Sequence, residues 1–530
     1  MTATAAPVTV SVIVTAHSEG TILRPTLRSV EAAVAEVVSR GGTAELVLVC
    51  DRADARTLEE ARRGADAFAT TARVIETDLG EPGAARNAGA EAAEGQHLAF
   101  VDGDDLISPN FVTAALEVIG RTSGPVVVHP HRVFSFGARR SLWETAENHG
   151  EVDYRDLLRF NLWPSTCVAP RSVVTEVPFR PLRLDLGFGP EDWLWNIDST
   201  IAGARHTVAP DTLLSYRVRA TGGVNNRHDA SVLPAIDLDG LRAAMPAGIS
   251  HPPSLPRRLY AALRPLARRL SRGMSPEAKR RLYRTATGAF LRRKALPPGV
   301  AEALAEATAL DPAISRDAGL AMQLDVVRQH DDGYGAIFDG AVQAIGDRPG
   351  ALLLVDSFAG SAGLTAIASA RALESAGLRT VVLALRSRDH QAPTDGVDVV
   401  RLPARFGELD RRLRARLLAQ LIVQVAPRVT FAIESVEFAD CLRGYARQLG
   451  SVTDITATLT GFSMASGFPI HPLTDDAPHR EHLTGIAVIT HDTTTAETVR
   501  LLLASDALVH VVPAPDEDGF GAALVSALVG

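Results

Sequence analysis

Along the first 120 residues, short unbroken apolar runs alternate with longer amphipathic stretches. Val10–Val14, Leu46–Cys50 and His97–Val101 are uninterrupted by acid or lysine, and Ala72–Glu76 is a fourth, weaker run. Between them, Leu23–Val38, Leu58–Phe68 and Ala84–Glu94 carry apolar residues at helical spacing. A strand that is apolar on both faces must be covered on both faces. The pattern therefore predicts a parallel sheet sandwiched by helices. Ligands of such sheets bind beyond the carboxyl ends of the strands. The polar residues that follow each strand are Thr15, His17 and Glu19, then Asp51, then Asp102-Gly103-Asp104-Asp105.

From Pro125 to about Ala220 the pattern loosens into short strands, loops and several aromatics, suited to an acceptor-binding half of the same domain. Between Arg257 and Lys294 there are thirteen Lys or Arg against one acid, Glu277. Leu255, Leu259, Leu263, Leu266 and Leu270 give this basic stretch one apolar stripe. Such a helix can lie on an anionic membrane surface, and equally can pack as a basic linker on a neighbouring domain. A second α/β pattern begins at Leu352–Val355 and continues through Thr380–Leu385, Val429–Ile433, Ile486–Thr490 and Leu508–Val512. The expected organisation is a catalytic α/β domain over 1–230, a mainly helical basic linker over 231–345 and a second, Rossmann-like α/β domain over 346–530.

Composition narrows the class. A chain of 530 residues exceeds one ordinary core. A net charge of −8 argues against a nucleic-acid partner. Three widely spaced cysteines offer neither a metal knuckle nor a disulfide framework, which suits a reducing cytoplasm. No secretory signal opens the chain, and no apolar run approaches the roughly 18 residues of a membrane span. Membrane contact, on the inner face, would then be peripheral and through residues 255–294. Oligomeric state is left open.

Three carboxylates in the four residues Asp102–Asp105 call for a counter-charge. Hard oxygen ligands suit Mg²⁺ or Mn²⁺, which bind through one or two carboxylates plus substrate phosphates. The rival reading is an acidic turn ahead of Ser108-Pro109. Upstream, Gly80–Gly89 places small residues with Arg86 and Asn87 at a helix start, where backbone donors and a guanidinium suit phosphate or ribose.

Four segments together resemble the family 2 glycosyltransferases. They are Thr15-Ala-His17-Ser-Glu19, Val-Cys-Asp51, Ala-Arg86-Asn87-x-Gly89 and Phe-Val-Asp102-Gly103-Asp104-Asp105. The resemblance covers about residues 8–225 and implies the GT-A fold. It implies that Asp51 contacts the base, Asp102 the ribose and Asp104 the metal, with Asp102 as a further metal contact. Ala16-His17 stands where the family commonly has Tyr-Asn. The family's Glu-Asp pair falls on Glu191-Asp192, making Asp192 the catalytic base and Glu191 an acceptor-positioning residue. Trp193 and Trp195 would offer apolar faces to an acceptor sugar, or simply pack in the core. Tyr216-Arg217 matches a pair near the end of the catalytic domain.

The C-terminal half resembles the N-terminal Rossmann-like domain of a GT-B, family 4 enzyme. Where that family carries two glutamates with seven residues between them, this chain has Asp518-Gly-Phe-Gly521 and Ser526, so no catalysis is expected there. The whole reads as a metal-dependent inverting glycosyltransferase. It would move a sugar from a nucleotide-sugar, UDP-linked by resemblance, to a glycan or lipid-linked glycan of the bacterial envelope. The rival reading is a non-catalytic nucleotide-sugar-binding scaffold of a glycan-synthesis complex.

Overall fold

A computed structural model describes residues 8–138, 140–146, 152–219, 232–245, 299–315, 333–358, 361–386, 396–458, 463–465, 468–470, 486–497 and 508–529. The basic stretch 255–294 lies outside the described residues. Among those described, no helix is long and apolar enough to cross a membrane. The chain forms two α/β units.

The first unit comprises residues 1–181, 191–226 and 237–330. Its core is a nine-stranded sheet in the order β3-β2-β1-β4-β8-β6-β9-β5, with β7 paired to β6. Here β1 is Val10–Ala16, β2 Ala44–Asp51, β3 Thr71–Thr77, β4 His97–Asp102, β5 Leu106–Ile107, β6 Val126–Gly137, β7 Ser141–Glu144, β8 Cys167–Pro170 and β9 Arg205–Val218. Strands β1 to β4 are mutually parallel, as the unbroken apolar runs predict. Alternate residues of β1 and β2 serve two separate cores. Val10, Val12, Val14, Leu46 and Leu48 face helix α1 (Leu23–Ser39), while Ile13, Val47 and Val49 face α3 (Pro82–Ala92). Helices α2 (Ala55–Ala67), α4 (Phe111–Arg121), α5 (Tyr154–Arg159), α6 (Arg171–Glu176), α7 (Glu191–Ile201), α8 (Leu238–Ala244) and α9 (Val300–Leu310) complete the unit.

The parallel register delivers the polar residues to one edge. Thr15 of β1 lies beside Asp102 of β4, and Asp51 of β2 beside Thr77 of β3. Beyond β4 the sheet turns antiparallel: β8 pairs with β4, and β6 runs against β8 and alongside β9. The loose sequence pattern over 125–220 therefore hides two long strands, of 12 and 14 residues. Buried polar side chains such as His129, Ser135, His206 and Thr212 interrupt their hydrophobic signal.

The second unit comprises Leu182–Pro190, Arg227–Ile236 and Asp331–Gly530. Seven parallel strands run in the order β12-β11-β10-β13-β14-β17-β18, with a two-stranded β15–β16 ribbon apart. They are β10 Ala351–Val355, β11 Thr380–Ala384, β12 Asp398–Arg401, β13 Val429–Ile433, β14 Asp454–Thr458, β15 Ser463–Ala465, β16 Phe468–Ile470, β17 Ala487–Thr490 and β18 Val509–Val511. This is a Rossmann-type order with its reversal between β10 and β13. Two glutamine amides join its distant segments. Gln420 exchanges two hydrogen bonds with the backbone of Leu233, at 2.8 and 2.9 Å, and Gln424 does the same with Ile236, at 3.1 and 2.9 Å.

Candidate active site

The tip of β4 is anchored before any ligand arrives. Gly103 donates its N–H to the Thr15 carbonyl at 2.9 Å, and Thr26 donates to the Gly103 carbonyl at 3.0 Å. A β-carbon on Gly103 would stand 2.7 Å from the Thr15 oxygen, so the backbones meet only because residue 103 has no side chain. Asp102 accepts from Arg86 at 2.7 Å on Oδ1 and from the Ser165 hydroxyl at 2.8 Å on Oδ2. Burial works against its charge, but Arg86 and these hydrogen bonds prevail and hold the carboxyl below its ordinary range.

Asp104 is ion-paired through Oδ2 to Arg219 Nε at 2.7 Å, and the same guanidinium reaches Glu19 at 2.6 Å. Burial, helped by the charges of Asp102 and Glu19 and opposed by Arg219, pushes the Asp104 carboxyl up to about 6. Asp105 is sealed: Oδ1 accepts the Arg217 N–H at 2.8 Å, and its buried Oδ2 has no hydrogen-bond partner among the described residues. Arg217 itself is committed to structure, donating to the Asp104 carbonyl at 3.1 Å and pairing with Asp311.

Several residues expected to meet the nucleotide are engaged by the protein. Asp51 takes the N–H groups of Leu79 and Gly80 at 2.7 and 2.8 Å, which shapes the loop after β3. His17 holds the Asp51 carbonyl through Nδ1 at 2.7 Å, and Glu19 accepts the His17 N–H. Asn87 clamps the Phe179 backbone with both ends of its amide, at 2.9 and 3.0 Å. Arg86 is 3% exposed and ion-paired at both terminal nitrogens, so the expected contact with phosphate gives way to an internal bridge.

That bridge leads to α7. Arg86 Nη1 meets Glu191 at 2.5 Å, and Gly83 packs beside both Glu191 and Phe179. Asp192 follows, only partly buried, with Oδ1 accepting the Trp193 N–H and Oδ2 the Asn161 amide, each at 2.8 Å. Burial and the neighbouring Glu191 charge, against the pull of Arg86, push the Asp192 carboxyl up to about 7. A partly exposed carboxylate with its pKa near neutrality is suited to taking a proton.

The tryptophans are corrected from acceptor platforms to core. Trp193 and Trp195 are 4% and 2% exposed and donate their indole N–H groups to the carbonyls of Leu157 and Val177. Ser165, Asn161, Asn196 and Arg219 escape the sequence reading because their partners lie 31 or more residues away or, for Asn196, inside that same network.

For a divalent cation the fit is narrow. Among the described residues, no three His, Cys, Asp or Glu side chains converge to hold one. Asp102 already accepts hydrogen bonds on both oxygens, from Arg86 and Ser165, and would meet a cation only through its remaining lone pairs. Asp104 Oδ1 has no partner among the described residues, and Mg²⁺ or Mn²⁺ needs no more than one or two protein carboxylates when phosphates and water supply the rest.

Residues 11–173, a little under a third of the chain, match the sequence profile described as "Glycosyl transferase family 2". The matched segment lies within the first unit, whose α/β fold is of the GT-A type. No curated protein matches the chain. Among solved structures, S. aureus TarS 1-349 in complex with UDP-GlcNAc is similar at 18% identity and a TM-score of 0.33, covering 59% of this chain and 89% of that one. Glucosyl-3-phosphoglycerate synthase from Mycobacterium tuberculosis, in complex with Mn²⁺, UDP and phosphoglyceric acid, is similar at 20% identity and a TM-score of 0.30, over 46% of this chain and 80% of that one.

Proposed function

We propose that the first unit transfers a sugar from a UDP-sugar to a hydroxyl of a glycan or lipid-linked glycan, with inversion at the anomeric carbon. The observation that carries this reading is the Asp102–Arg86–Glu191 bridge, which joins the carboxylate at the tip of β4 to the start of the helix bearing Asp192. A donor bound at the tip of β4 would lie with its anomeric carbon towards that helix. Asp192 would remove the acceptor proton as the hydroxyl attacks from the face opposite the leaving diphosphate, a role typically worth about 10²–10⁴ in rate. Asp104 would hold a divalent cation, which supplies positive charge to the diphosphate. Arg219 would have to release Asp104 as that cation binds. Asp51 and His17 flank the place for the base, and Thr15, with Asp102, the place for the ribose.

The second unit is read as non-catalytic. At its sheet reversal, Asp356 accepts from the Ser435 hydroxyl at 2.5 Å and the Val436 N–H at 3.1 Å. The start of the helix Val436–Gly450, which follows β13, is thus capped by a carboxylate from the end of β10.

The test is calorimetric binding of UDP with and without Mn²⁺, paired with UDP release from a panel of UDP-sugars over glycan acceptors. Metal-assisted UDP binding that Asp104→Ala abolishes, together with turnover that Asp192→Asn abolishes, is the expected pair. Binding without turnover on any acceptor would leave a scaffold instead.

A further inference from the structure

Beneath Asp192 lies a chain of amides that the proposed reaction has not yet used. Asn196 sits four residues after Asp192 on α7, hence on the same face one turn along. It is 1% exposed, and its Nδ2 donates to two carbonyl oxygens, Trp163 O at 3.0 Å and Asn161 Oδ1 at 2.9 Å. Two N–H groups facing two acceptors leave this amide one orientation. Asn161 must then turn its oxygen towards Asn196 and its NH₂ towards Asp192, where Nδ2 meets Oδ2 at 2.8 Å. The reverse flip would set a carbonyl against the carboxylate.

The loop carrying Asn161 is pinned further along. The Pro164 carbonyl lies 3.1 Å from His129 Nδ1, and a carbonyl can only accept, so His129 bears its proton there. Its Nε2 is then an acceptor, facing His206 Nδ1 at 2.9 Å in the buried core. One residue on, Ser165 holds Asp102. A single five-residue loop therefore fixes both the carboxylate at the tip of β4 and the one on α7.

We propose that Asn161 and Asn196 are positioning residues that aim Asp192 at the acceptor and stabilise its ionised form. This rests on Asp192 being the base. Asp192 accepts only from donors in this arrangement, which favours the carboxylate over the acid. The ionisable groups around it are Glu191 on its own helix, Arg86 on α3, Asp102 on β4, Cys167 on β8 and Tyr216 on β9. Of these, only Arg86 favours ionisation, so the Asn161 donor matters.

The experiment measures UDP release against pH 5.5–9.5 for the full chain, using the UDP-sugar that the wild type turns over, with UDP affinity measured in parallel. Asn161→Ala should bind UDP within about two-fold of wild type, while the acid limb of kcat/KM moves up by about one pH unit. The loss, about five-fold at pH 7, should shrink by pH 9. Asn196→Ala should shift the limb in the same direction, and Asn161→Ser, which keeps a donor, should shift it less. A pH profile superimposable on wild type, or a loss equal at every pH, overturns the proposal. Turnover that survives Asp192→Asn alone would instead overturn the assignment of the base. Should Asn161→Ala fail to fold, the Asn161→Ser and Asn196→Ala profiles decide the matter.

Discussion

Arg86 joins Asp102 to Glu191 with its two terminal nitrogens, at 2.7 and 2.5 Å, from a position almost wholly removed from solvent. One cation is thus shared by two carboxylates 89 residues apart in sequence, Asp102 and Glu191. Removing it leaves the buried Glu191 and the partly buried Asp102 without their cation, the arrangement that makes broken internal ion pairs costly. Arg86→Met should destabilise the first unit by about 3–5 kcal/mol. Thermal or urea unfolding of the purified variant checks this. A melt unchanged from wild type would mean the bridge is not part of the folded ground state.

The raised pKa of Asp192 sets the direction of the pH response. A base works ionised, so turnover should rise with pH through about 7 and level off above it. An acid limb near the ordinary aspartate value of about 3.9 would contradict the burial seen here.

Gly103→Ala should impair the tip of β4 without touching any charged group. Its new methyl group would meet the Thr15 carbonyl at 2.7 Å, and backbone cannot swing aside as a side chain can. Weaker UDP binding, by calorimetry, with Asp102 and Asp104 intact is the expected outcome. Native affinity would show that the loop moves freely.

All three cysteines are buried. Burial pushes Cys50 up to about 11 and Cys167 up to about 12, and raises Cys441 further. A thiol-disulfide reagent at pH 8 should therefore find no reactive thiol in the native protein and three after denaturation. A fast native reaction would place one of them outside the core.

What the sequence reveals and conceals follows from distance along the chain. Strands β1, β2 and β4 are legible because each carries its whole apolar signature in five or six consecutive residues, and the polar residues after them reach one edge through a parallel register. The strand at Asp398–Arg401 is not, because only one of its four residues is buried. The tryptophans at 193 and 195 carry no mark that distinguishes a sugar platform from a core side chain; only their indole partners do. Arg86 was readable as a cation near the site, but its commitment to Glu191 depends on a contact between α3 and α7 that no local pattern encodes. The Asn161 amide is further still from local inference, since its orientation is fixed by a second asparagine.

The second unit is assembled from three stretches of chain, two of which, Leu182–Pro190 and Arg227–Ile236, precede the rest by about a hundred residues or more. A nascent chain must carry these pieces unpaired until the partners of Leu233 and Ile236, at Gln420 and Gln424, have been synthesised. No one cut yields two finished halves: severed before Asp331, the C-terminal piece would lack both stretches. Such a unit cannot be exchanged as a cassette at a single genetic junction without also cutting into the first unit, whose chain it interrupts.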